Sequence, residues 1–180
     1  MSFVRTALPL ALLTLATTAH ADVLGVDLNG KAKAEAIIID ASGRPVGKAT
    51  VKNLKDQGMA VTVSVKGLTK GEHGIHLHTI GACEGPKFTS AGGHWNPHGK
   101  MHGLSNPEGS HAGDMPNLLV KKNGRGTVSF EIAGGRVKGD NGLMDGDAAA
   151  IVIHAATDDQ RTDPSGNSGE RIACGIFVRK

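Results

Sequence analysis

Tyrosine is absent from this sequence, and one tryptophan and four phenylalanines are the only other aromatic side chains among 180 residues. A core therefore has to be assembled from Val, Ile, Leu and Ala. There is no long basic run, no interleaving of cations with aromatics, and the formal net charge is only +3. The electrostatic footprint of a nucleic-acid-binding surface is thus missing, although a mild positive bias helps to attract a small anion. Cysteine is scarce too: Cys83 and Cys174 stand alone, with no CxxC spacing that would suit a thiolate metal site. In an oxidising compartment an isolated pair is most simply a disulfide. Closing so long a loop would stabilise the fold by roughly 4.6 kcal/mol in the chain-entropy model.

Long apolar runs are confined to the N-terminus, MSFVRTALPLALLTLATTAHA. Arg5 precedes an apolar stretch too short to cross a bilayer as a helix, which takes roughly 20 residues. Small residues Ala19 and Ala21 then flank His20. This is the layout of a secretory signal peptide over residues 1–21, cleaved between Ala21 and Asp22. Residues 22–180 are long enough for one domain with its own core, and no repeat or linker divides them. The mature chain is expected to be soluble and exported.

What the sequence does have is alternation. GMAVTVSVK (58–66) places Met59, Val61, Val63 and Val65 on one face and Ala60, Thr62 and Ser64 on the other, the period of a half-buried strand. KAEAIIID (33–40), KATVKNL (48–54), Ala148 to His154 and Arg171 to Val178 read the same way. NLLVKK and GTVSFEIA flank Asn123-Gly124-Arg125-Gly126, a hairpin signal. No segment keeps a helical period, so an antiparallel sandwich or barrel is predicted. Two stretches, 83–116 and 155–170, are long and turn-rich, and loops of that length in a compact domain are usually functional or disordered.

Histidine is the chemistry-bearing residue. If HGIHLH (73–78) is extended, Ile75 and Leu77 face the core while His76 and His78 share the opposite face, within reach of one ion. His94, His102, His111 and Asp114 lie together in the first long loop, and three imidazoles with a carboxylate make a tetrahedral zinc set. Four protein ligands leave no open position, which marks such an ion as structural. His154 closes the apolar run IVIHAA, where a neutral histidine satisfied by hydrogen bonds is the usual reading. Imidazole-rich sites without thiolates suit copper as well as zinc.

In order along the chain, HGIHLH, AGGH, the spacing His94–His102–His111–Asp114, HAGD, IVIHA and RIACG resemble the copper,zinc superoxide dismutase family in its exported bacterial form. The resemblance covers nearly the whole of residues 22–180. It implies an all-β, eight-stranded antiparallel Greek-key barrel whose two long loops are the metal-binding and electrostatic loops. It further implies one copper on His76, His78, His94 and His154, and one zinc on His94, His102, His111 and Asp114, with His94 bridging. Arg171 is implied as the arginine that guides the anion, Asp158 as a carboxylate orienting one ligand histidine of each metal, and His73 as a structural brace. The implied activity is dismutation of superoxide to oxygen and hydrogen peroxide in the periplasm. Bacterial members differ in being monomers or homodimers, so a homodimer is an allowed partner state. A non-enzymatic copper/zinc storage or delivery protein is the alternative. His98 and Trp95 have no ligand role in the pattern.

Overall fold

The computed structural model describes residues 32–55 and 57–180. The expected signal peptide, residues 1–21, lies outside them. Strands are β1 (Lys33–Asp40), β2 (Pro45–Asn53), β3 (Gly58–Val65), β4 (Gly71–His73), β5 (Ile75–His78), β6 (Leu118–Val120), β7 (Gly126–Ala133), β8 (Ala150–His154), β9 (Arg171–Ile176) and β10 (Val178–Arg179). A single 3₁₀ turn, Thr89–Ala91, is the one helical element among the described residues.

All ladders are antiparallel, in the order β4-β6-β7-β3-β2-β1-β9-β8-β5, with β10 also on β1. The two ends of this path, β4 and β5, are consecutive in the chain, so the sheet closes on itself through Gly74. A barrel closed this way has no long free edge. Ten ladder segments reduce to the expected eight strands, since β4 and β5 are parted only by Gly74 and β9 and β10 only by Phe177. The β3–β4 and β7–β8 connections each skip two neighbours, which is the Greek-key topology.

The interior follows the alternation. Val61 and Val63 of β3, Ala49 and Val51 of β2, Ile38 of β1 and Ile151 and Ile153 of β8 are fully buried. The hairpin expected at Asn123-Gly124 joins β6 to β7, with Gly124 N donating to Lys121 O at 2.9 Å. A third irregular stretch, 134–149, carries Val137, Leu143 and Met144 into the core; its weak alternation hid it in the sequence.

Strand β5 is buried on both faces. Ile75 and Leu77 join the core, while His76 pairs beside Val152 and His78 beside Ala150 on the outer face. Beside it, Phe88 and Ala91 of the loop cover the outer face of β8 and β9 at Ala150, Val152 and Cys174, and Cys83–Cys174 forms the expected disulfide across 91 residues. Its role is to pin segment 83–92 over β8 and β9.

Replacing both cysteines by alanine should lower stability by about 2–5 kcal/mol, read as a drop in the denaturation midpoint. An equal midpoint for reduced and oxidised protein would contradict this clamp.

Candidate metal centre

The histidines arrive from three places: β5 (His76 and His78), the loop 83–116 (His94, His102 and His111) and the end of β8 (His154). Strand geometry puts His76 and His78 on one face. His94 is drawn in by an isolated antiparallel bridge to His78, and Asp114 by another to His76. His154 lies on the same face of β8 as Ala150 and Val152, and a register shift that passes over Ile172 of β9 sets Arg171 opposite it.

The rings form two clusters that share His94. In one, ligand atoms of His76, His78, His94 and His154 all lie within 4.8 Å of one another. In each of three rings the outer nitrogen is taken: His76 Nε2–H donates to Asp158 Oδ2 (2.7 Å), His78 Nδ1–H to Gly92 O (3.0 Å) and His154 Nδ1–H to Gly169 O (3.1 Å). The inner nitrogens, His76 Nδ1, His78 Nε2 and His154 Nε2, are buried with no hydrogen-bond partner. A neutral imidazole that donates through one nitrogen offers a lone pair at the other. Leaving each such buried acceptor unpaired costs about 1–3 kcal/mol, and a shared cation removes that cost.

The second cluster converges on Asp114 Oδ1. His94 Nδ1 lies 2.9 Å from it, His102 Nδ1 3.0 Å and His111 Nδ1 3.3 Å, while His111 Nδ1 stands 3.2 Å from His94 Nδ1. A tetrahedral zinc with bonds of about 2.0–2.1 Å has ligand–ligand edges of about 3.3–3.4 Å, near the His111 spacings. The set whose ligand atoms all lie within 4.8 Å of one another is His76, His94, His102 and Asp114; His111 joins it through Asp114 and His94. With Nδ1 committed here, the Nε2 of His94 is left for the first cluster. His76 also comes near the second cluster because its ring stacks on His94, centroids 4.0 Å apart.

Protonation follows the surroundings. Burial holds His76 down to about 3 and His154 to about 4, and pushes His78 and His94 down as well, so these four are neutral imidazoles, as metal ligands must be. His102 is pulled down by burial too, but its hydrogen bonds to Asp114 and Asp158 outweigh that and raise it to about 9. Burial pushes Asp114 up, yet the surrounding histidines and backbone amides keep its carboxyl well below the ordinary range.

Asp158 ties the clusters together. One oxygen accepts from His76 Nε2 at 2.7 Å and the other from His102 Nε2 at 3.0 Å, with the side chain fully buried. Two glycines make room for it. A Cβ on Gly166 would overlap Asp158 Oδ1, and one on Gly74 would come 2.7 Å from Ser168 Cβ and 3.2 Å from Asp158 Cβ. Arg171 donates to Phe88 O at 2.8 Å and to Gly92 O at 2.7 Å. The Gly92 carbonyl therefore positions both Arg171 and His78, and the arginine's charge is felt at His78 and His154. His73 bridges His154 O (2.7 Å) and Thr69 O (2.9 Å) and stays out of both clusters, as does exposed His98. Buried Trp95 lies in the core cluster. Asn117, overlooked in the sequence, hydrogen-bonds Asp158 twice; a lone asparagine before a strand carries no signal of its own.

An antiparallel barrel bearing two adjoining imidazole-rich groups has the donor sets of a protein that can hold two neighbouring metal ions. Residues 46–177 match the family model described as copper/zinc superoxide dismutase. The chain is 43% identical over 150 residues to superoxide dismutase [Cu-Zn] 2 of Aquifex aeolicus, covering 81% of this chain and 86% of that protein. It is 35% identical over 184 residues to superoxide dismutase [Cu-Zn] of Deinococcus radiodurans, covering 96% and 95%. It is also similar to the superoxide dismutase-like protein YojM of Bacillus subtilis, at 40% over 144 residues, covering 78% and 74%. A crystal structure of a SOD-like protein from Bacillus subtilis superposes with a TM-score of 0.76 at 38% identity, covering 80% of this chain and 97% of that one. This chain belongs to the copper/zinc superoxide dismutase family, oxidoreductases whose cofactors are copper and zinc.

The lowered histidines carry a sign. Their folded pKa values lie below the ordinary 6.5, so the unfolded chain binds more protons and stability is lost as pH falls from about 6.5 towards 4. The denaturation midpoint of metal-free protein should drop steadily over that window, and a flat profile would refute the assignment of neutral buried rings. Gly166→Ala should weaken binding of both metals by roughly tenfold or more, because it displaces the carboxylate behind them; chelator competition measures this.

Proposed function

We propose that the protein dismutes superoxide to molecular oxygen and hydrogen peroxide, protecting the cell envelope, with copper held by His76, His78, His94 and His154 and zinc by His94, His102, His111 and Asp114. The observation that carries this reading is the trio of buried, unpartnered imidazole nitrogens beside a converging three-histidine, one-carboxylate set. When bound, copper supplies a one-electron couple that can accept an electron from one superoxide and return it to the next.

The protein's own groups do the rest. Arg171, held by two carbonyls, presents a fixed cation that draws in and orients a small anion. His94 is the ring with a nitrogen in each cluster, so its Nε2 is the atom that can take up a proton and hand it to reduced substrate. Asp158 accepts from His76 Nε2 and His102 Nε2, which orients both rings and leaves His76 Nδ1 without a proton. Burial beneath the loop roof keeps bulk water off the imidazole nitrogens and strengthens every charge interaction there.

Export to the periplasm is supported by the N-terminal sequence pattern and is consistent with the Cys83–Cys174 disulfide. No helix of the described residues is long and apolar enough to cross a membrane. The second reading, a non-enzymatic copper/zinc storage or delivery protein, draws on the similarity to a protein named only superoxide dismutase-like. Against it, this sequence has Arg171 together with all seven candidate ligands.

Loading the mature protein with copper and zinc and assaying superoxide removal, with His78→Ala as control, separates the two. Removal no faster than with free buffer would leave the binding-protein reading. Arg171→Ala should lower the rate roughly tenfold or more with copper retained, and flatten its fall with ionic strength; an unchanged salt profile would remove the guiding role.

A further inference from the structure

We propose that Asn117 is a positioning residue of the metal centre, clamping the backbone of Asp158 so that its carboxylate points correctly at His76 and His102 together. This rests on the metal-centre reading above and extends it to a residue that touches no ligand ring.

Asn117 Nδ2–H donates to Asp158 O at 2.8 Å, and Asn117 Oδ1 accepts Asp158 N–H at 2.9 Å, across 41 residues of chain. The side-chain amide thus pairs with both polar groups of Asp158 as a strand's peptide unit would. A neutral side chain that both donates and accepts in one plane is what an amide provides. Other bonds join the same two loops: Ser105 N to Gln160 O (3.0 Å), Asn106 Nδ2 to Arg161 O (3.2 Å), Gln160 Nε2 to Met115 O (3.2 Å) and His102 N to Asp163 Oδ1 (2.6 Å). Those secure residues 160–163. Among the hydrogen bonds of the described residues, only Asn117 holds the Asp158 N–H and C=O.

Its own anchorage is firm. Asn117 directly precedes β6, whose Leu118 is fully buried, and follows Asp114 by three residues. The clamp therefore runs from barrel to asparagine to aspartate, and from there to one histidine of each cluster. Without the amide, two backbone groups of a buried residue lose their partners, a cost that backbone rotation relieves. Rotation there swings the carboxylate away from His76 Nε2 and His102 Nε2 at once, so both metal sites change together.

The test uses the full mature chain, with Cu(II) and Zn(II) as probes, reading affinity by chelator competition and copper geometry by electron paramagnetic resonance. N117A, checked by circular dichroism and an intact disulfide, should bind each ion roughly tenfold more weakly and show an altered copper hyperfine pattern. N117D retains the acceptor but loses the donor and should fall between, while N117Q, one methylene longer, should not restore the wild-type spectrum. A folded N117A with lower thermal stability but wild-type spectrum and affinities would overturn the proposal; if N117A does not fold, N117D decides on the same readouts. A wild-type chain that binds neither ion would overturn the metal-centre reading and this inference with it.

Discussion

A buried imidazole nitrogen that carries no proton needs a positive partner, and three of them face one another in this protein. His76 Nδ1, His78 Nε2 and His154 Nε2 are held in that state because a protein oxygen has claimed the opposite nitrogen of each ring. The oxygens come from Asp158, Gly92 and Gly169, all in the loops. The loops therefore select the tautomer, the tautomer creates the lone pairs, and the lone pairs create a cation site. The second cluster is built differently: the Nδ1 atoms of His94, His102 and His111 gather around one carboxylate oxygen of Asp114.

The barrel serves this arrangement by burying β5 on both faces. Ile75 and Leu77 fix the strand to the core, so the histidines opposite them cannot swing. Closure at Gly74 brings β4 and β5 to opposite ends of the sheet path, and the missing side chain there lets the segment around Asp158 and Ser168 sit directly on the seam. The disulfide holds the other roof, so that Phe88 and Gly92 can present carbonyls to Arg171 and His78. Each irregular segment is thus fastened to the barrel and to a ligand histidine at once.

Much of this was legible in the residues. The strands announced themselves by alternation because one face of each meets the core and the other meets water. The bounds of β1 and β3 fall within a residue of the readings at 33–40 and 58–66. The short strand β4, three residues long, and the core-entering stretch 134–149 left too few periods to be seen. The ligand histidines were visible as residue types, but their grouping leaned on a family resemblance: His76 and His154 lie 78 positions apart in the numbering, and nothing local says that they meet. Asn117 was invisible because its function is a pair of hydrogen bonds to a residue in another loop.

The sequence by itself determined the strands, the cysteine pair, the supply of imidazoles and the absence of an aromatic core, since these depend on local periodicity and on which atoms each side chain owns. Only the tertiary structure decided which nitrogen of each ring points inward, that one carboxylate spans both clusters, and that one carbonyl serves both His78 and Arg171. Those properties depend on distances between segments that come together only when the barrel closes, and no local pattern encodes such a distance.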